Sequence, residues 1–116
     1  MKNTAQQIQE KWPHIAKNIN NIAPKFRDEF MDNELTNSIK KAMEEKLELA
    51  REKGRGGWWS TDCDTEYLKQ MLKEHIDKGD MRDVMNLSAM IFYRESAGIE
   101  FSDNEGLDHL IIDHKR

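Results

Sequence analysis

The apolar residues of this chain recur at steps of three and four, and that period limits its fold more than any other feature. Between positions 34 and 53, Leu35, Ile39, Ala42, Met43, Leu47 and Ala50 fall on one stripe while the opposite side is Lys and Glu. A helix buries such a stripe and hydrates the rest, whereas a strand would scatter it over both faces. Asp32 or Asn33 can cap the start, and Gly54 ends the helix as a left-handed C-cap. The period returns in Tyr67, Leu68, Met71, Leu72, His75 and Ile76, a second helix from about Asp64 to Gly79. A third starts at Asp80 and closes at Gly98, and its apolar residues Val84, Met85, Leu87, Ala89, Met90, Ile91, Phe92 and Tyr93 nearly encircle it. It is therefore expected to be the most buried element. Because three short neighbours cover it poorly, this helix or the 64–78 helix is expected to pack against a second copy in a homodimer.

Upstream, Ile8, Trp12, Ile15, Ile19, Ile22 and Phe26 keep the spacing, but Pro13 and Pro24 interrupt it. Proline lacks the amide proton and clashes with the preceding turn, so two or three short helices are predicted here, each proline near a helix start. Downstream, Ser102 to Glu105 matches the Ser-x-x-Glu capping box, with Leu107, Leu110 and Ile111 on one side of a short helix. The chain thus reads as all-α, a small bundle of about five to six helices. Residues 1–33 form an N-terminal helical segment, 34–98 the core module and 99–116 a C-terminal helix or tail.

Charge narrows the partners. The 22 acidic and 18 basic residues are interspersed and leave a net charge of −4, which argues against nucleic acid as a partner. Cys63 is the one cysteine, so an intrachain disulfide or cysteine-cluster metal site is excluded and a reducing, cytoplasmic setting is expected. No apolar run approaches the length of a membrane span, and the Met-Lys-Asn start does not lead into a secretion signal. Seven methionines suit either an irregular core or an adaptable contact face.

The segment Arg51 to Thr61, REKGRGGWWST, is the first candidate for binding. Arg51, Lys53 and Arg55 supply positive charge, the glycines let backbone amides approach an anion, and Trp58 and Trp59 can stack on a base or anchor a protein partner. One tryptophan is expected to plug the gap between the flanking helices, leaving the other exposed. Among the remaining groups, Glu44, Glu45 and Glu48 have Lys40, Lys41 and Arg51 within one helical turn, the pattern of a solvated charge face. Asp80 and Asp83 have the spacing of an N-cap and its N3 partner. Asn86 on an apolar helix reads as a buried amide fixing a helix contact, and His75 on its stripe as a core histidine. His109 and His114, beside Asp108 and Asp113, offer adventitious metal binding at most, and Cys63 lacks a nearby histidine to activate it.

One resemblance joins several of these positions. Met43-x-x-Lys46-Leu47, Ala50-Arg51-x-Lys53-Gly54-Arg55-Gly56-Gly57-Trp58, Leu68-x-x-x-Leu72-x-Glu74-His75-x-x-Lys78-Gly79-Asp80-x-x-Asp83-Val84-x-Asn86 and Ala89-Met90-Ile91 together look like a module of small bacteriophage accessory proteins. That module more distantly resembles the MazG-like all-α nucleoside triphosphate pyrophosphohydrolases. In those enzymes Glu-Glu-x-x-Glu and Glu-x-x-Asp motifs on facing helices hold Mg²⁺ against the triphosphate. Glu44-Glu45-x-x-Glu48 matches the first motif, and Asp80-x-x-Asp83 stands for the second with aspartate in place of glutamate.

Two functions follow. The first is a non-catalytic interaction protein of phage type, with no cofactor, that binds and modulates a host protein such as a defence or replication component, with inhibition the favoured mode, through Arg51, Lys53, Arg55, Trp58 and Trp59. The second, implied by the MazG-like resemblance, is a Mg²⁺-dependent pyrophosphohydrolase or nucleotide-binding relative. There Glu74, Asp80 and Asp83 would be catalytic, and Glu44, Glu45, Glu48, Asp80 and Asp83 would hold the metal.

Overall fold

The computed structural model describes residues 2–101. Every regular element among them is helical: α1 (Thr4–Asn18), a single 3₁₀ turn (Ile19–Asn21), α2 (Pro24–Glu52), α3 (Thr65–Lys78) and α4 (Met81–Ala97). None is long and apolar enough to cross a membrane. The all-α class is as expected, with four α-helices among the described residues where about five to six were anticipated for the whole chain. The C-terminal capping box and the helix and histidines after it lie outside the described residues.

Two local expectations are corrected. Pro13 sits inside α1 rather than at a helix start, although Pro24 does open α2. No break occurs near Asp32 and Asn33, because α2 runs unbroken for 29 residues. Asn33 instead lends its carbonyl to the Thr36 hydroxyl, a bond from inside a helix. Capping residues mark where a helix can begin, and they act only where the preceding residues leave the helical conformation.

The chain divides into two compact units between Glu45 and Lys46, within α2. In the first, polar side chains tie α1 to α2. Asn3 caps α1 in a reciprocal box with Gln6, and the backbone N–H and hydroxyl of buried Thr4 both donate to Glu45 Oε2, at 3.0 and 2.7 Å. Two helical turns on, Lys11 Nζ reaches Glu34 at 2.8 Å and Ser38 Oγ at 3.0 Å, and holds the Glu34 carboxyl below its ordinary pKa. Position 4 opposite 45 and 11 opposite 34 and 38 make the pair antiparallel. The apolar stripe read from the sequence is only partly used: Ala42 is buried, while Trp12, Phe26 and Leu35 are exposed.

The second unit holds the apolar core. Cys63, Leu68, Leu87, Met90 and Ile91 are buried together, with Leu47, Trp58, Met71 and Leu72 packed around them. α4 is the most buried helix, as its composition implied, yet not on every side: Phe92 is 73% and Tyr93 59% exposed. α3 and α4 pack as a hairpin whose turn is Gly79 at φ +76°, a left-handed conformation that costs a residue with a Cβ about 1 kcal/mol. Gly79 N–H donates to Ile76 O and Asp80 N–H to His75 O, closing α3 with paired capping bonds. Asp80 then caps α4, so only Gly79 and Asp80 separate the two helices.

Candidate functional site

The tight α3–α4 turn brings the last turn of one helix against the first turn of the next, which places His75, Asp80 and Asp83 together. Their facing donor atoms all lie within 4.8 Å of one another. Asp80 Oδ1 accepts from the Asp83 backbone N–H at 3.4 Å, while its Oδ2 stands 3.7 Å from His75 Nδ1. Asp83 divides its oxygens likewise, Oδ1 pairing with Lys46 Nζ at 3.1 Å and Oδ2 lying 3.5 Å from His75 Nδ1. A hydrogen bond shared with Asp83 holds the Asp80 carboxyl below its ordinary pKa, helped by the Asp83 backbone N–H, Lys46 and His75 against the opposing effect of desolvation. The N-cap reading of Asp80 and Asp83 therefore holds. His75 is half-buried beside carboxylates rather than closed in by apolar side chains.

Beside this cluster opens a cleft of about 380 Å³, formed by the end of α2 with α3 and α4. Its floor is Leu47, Ala50, Met71, Leu87 and Met90, and Lys46, Arg55 and Lys78 bring three cations to its walls. Glu74, His75 and Asp83 also line it, so Arg55 of the binding segment shares a wall with two of the acidic residues implied by the MazG-like resemblance. Glu44, Glu45 and Glu48 do not join them. Glu44 and Glu48 are exposed, and Glu45 is engaged by Thr4.

The second candidate is the segment between α2 and α3. Arg55 N–H donates to Ala50 O at 2.8 Å, and Gly57, at φ +80°, turns the chain so that Ser60 N–H reaches Gly57 O. What sets the shape of the remainder is Arg94, which is fully buried. Its guanidinium donates to the carbonyls of Trp58 at 2.7 Å, Ser60 at 2.8 Å and Cys63 at 2.6 Å, and to Thr65 Oγ1 at 2.9 Å. Trp58 is half-buried against the core and meets Tyr93 edge-on, ring centroids 5.6 Å apart. Trp59, the next residue, is 61% exposed. One indole thus fills the gap between helices and the other faces solvent. Arg51 and Lys53 are exposed and stand outside the cleft that Arg55 lines.

Arg94 was not singled out by the sequence reading, yet a signal was present. It lies three and four residues after Ile91 and Met90 and seven after Leu87, the register of the buried stripe. A charged residue in that register must either leave the core or find several partners inside it. Comparison of the chain with protein-family models, with curated proteins and with solved structures found no match in any of the three.

Proposed function

We propose that this chain is a protein-binding helical module of the phage accessory type, which docks on a host protein through the 51–61 segment and inhibits it. The supporting observation is Arg94. A guanidinium taken wholly out of water forgoes its hydration, and here it is used to fix three backbone carbonyls of an irregular segment. A segment held so firmly loses little entropy on association, and the residue it presents, an exposed Trp59, belongs to the class that dominates binding energy at protein interfaces. Exposed Arg51 and Lys53 flank it and give an acidic partner surface its electrostatic complement.

The experiment compares wild-type and Trp59→Ala chains as bait in lysate of the host cell, with captured proteins identified by mass spectrometry. A partner retained by the wild type and lost by at least about tenfold on Trp59→Ala supports the reading, since a central interface tryptophan is worth about 2 kcal/mol or more. Equal retention of every captured protein by the two baits rejects it.

A second reading draws on the cleft, which unites Arg55 with Glu74 and Asp83 over an apolar floor. Its volume falls within the range of small-molecule sites, and its three cations suit a phosphorylated ligand held with Mg²⁺. Pyrophosphate release from nucleoside triphosphates, or a thermal shift with them, would favour this reading over docking.

A further inference from the structure

We propose that His75, Asp80 and Asp83 form a binding site for a first-row divalent cation, Zn²⁺ by their donor set. The site is separate from the docking segment, and it shares Asp80 and Asp83 with the Mg²⁺ reading but joins them to His75 for a different ion. Three observations carry it. First, each carboxylate already spends one oxygen on the fold, Asp80 Oδ1 on the Asp83 amide and Asp83 Oδ1 on Lys46, and each turns its other oxygen toward the same imidazole nitrogen. The ligands are thus oriented by separate bonds before any ion arrives, the arrangement that raises metal affinity.

Second, His75 Nδ1 is shielded from solvent and makes no hydrogen bond. A ring nitrogen in that position ordinarily donates to or accepts from a neighbour. The two oxygens it faces are too far for a hydrogen bond, at 3.5 and 3.7 Å. Third, those same separations suit a metal. Ligands about 2.0–2.2 Å from a tetrahedral Zn²⁺ stand about 3.3–3.6 Å apart, close to both imidazole–carboxylate separations, and all three donor atoms lie within 4.8 Å of one another, so one ion can draw them in by side-chain adjustment. One nitrogen and two oxygens leave a fourth position vacant. His75 and Asp83 both line the cleft, so that position opens toward it, as in a zinc site that exchanges water or ligand rather than a closed structural one.

The nitrogen donor selects the metal. Imidazole suits Zn²⁺ and Co²⁺, whereas Mg²⁺ prefers an all-oxygen shell and sheds its water reluctantly. Lys46 leaves a ligand oxygen free for the ion, because its ammonium pairs with Asp83 Oδ1 while Oδ2 is the oxygen beside the imidazole.

The test is a titration of the full, chelator-treated chain with Co²⁺ alone, followed by visible absorption and calorimetry. One equivalent is expected to bind with the intense d–d bands of tetrahedral Co²⁺, to be displaced by Zn²⁺, and to resist excess Mg²⁺. Asp80→Asn is the decisive variant, since asparagine caps a helix as well as aspartate and so spares the fold while weakening a ligand. It is expected to reduce Co²⁺ affinity at least about tenfold with unchanged circular dichroism, and His75→Ala to do the same or more. Failure of the wild type to bind saturably overturns the proposal. So does binding that survives both substitutions undiminished, which would assign the ion to histidines elsewhere in the chain.

Discussion

Replacing Arg94 by methionine is expected to lower the unfolding free energy by about 3–5 kcal/mol, the largest effect of any single substitution considered for this chain. The guanidinium is fully buried and satisfies the carbonyls of Trp58, Ser60 and Cys63 and the hydroxyl of Thr65. Methionine keeps much of the volume but supplies no donor. Each buried acceptor that loses its donor costs about 1–3 kcal/mol, less for Ser60 O, which keeps the Cys63 N–H, and the loss is offset in part by water that enters and by relief from burying the charge. A domain of this size has a total stability of about 5–15 kcal/mol, so the variant should remain folded in the cold but lose much of its margin. Arg94→Lys separates charge from geometry. Its three donors diverge from a point and cannot span four acceptors laid out for a planar fork, so about half the loss should persist. Urea denaturation followed by circular dichroism measures both, and a midpoint for Arg94→Met equal to that of the wild type would show that the clamp carries no stability.

The same residue shows what was legible in the sequence and why the rest was not. Helical periodicity located α3 and α4 closely, because both carry local stop signals that their backbones obey: Gly79 and Gly98 adopt φ of +76° and +73°, and Asp64 and Asp80 cap the starts. The same logic failed in α2, where Asp32 and Asn33 lie in the middle of a 29-residue helix. Capping preference is a local quantity worth about 1 kcal/mol, and an uninterrupted run of helical hydrogen bonds outweighs it. For the candidate site, Asp80 with Asp83 was readable as a cap, whereas the approach of His75 to both depends on the angle of the α3–α4 turn. Arg55 reaches the cleft only because the end of α2 lies beside α3 and α4. Such meetings are set by tertiary packing, and a single sequence read by period and propensity does not encode them visibly. Arg94 falls between the two cases: its register sets it on the buried stripe, but nothing local in the sequence shows that its charge finds four partners there.

The two adjacent tryptophans turn that distinction into a measurement. Trp58 packs on the cluster of Cys63, Leu68, Leu87, Met90 and Ile91 and meets Tyr93 edge-on, so Trp58→Ala removes a large apolar surface and a favourable ring contact at once. Full burial of a tryptophan would put the cost at about 3–5 kcal/mol; Trp58 is only half-buried, which brings the expected loss to about 2–4 kcal/mol. Trp59→Ala should change stability by less than about 0.5 kcal/mol, because a side chain 61% exposed leaves no cavity when it is truncated. Fluorescence supplies the structural control once Trp12, itself half exposed, is replaced by phenylalanine. In that background Trp59→Ala should leave an indole poorly reached by acrylamide, and Trp58→Ala one that is quenched readily. Equal costs for the two substitutions, or equal quenching of the two indoles, would mean that the segment does not hold one ring in and one ring out. The docking surface would then lack its anchor, because a tryptophan that stabilises the fold as much as its neighbour is not free to be buried against a partner.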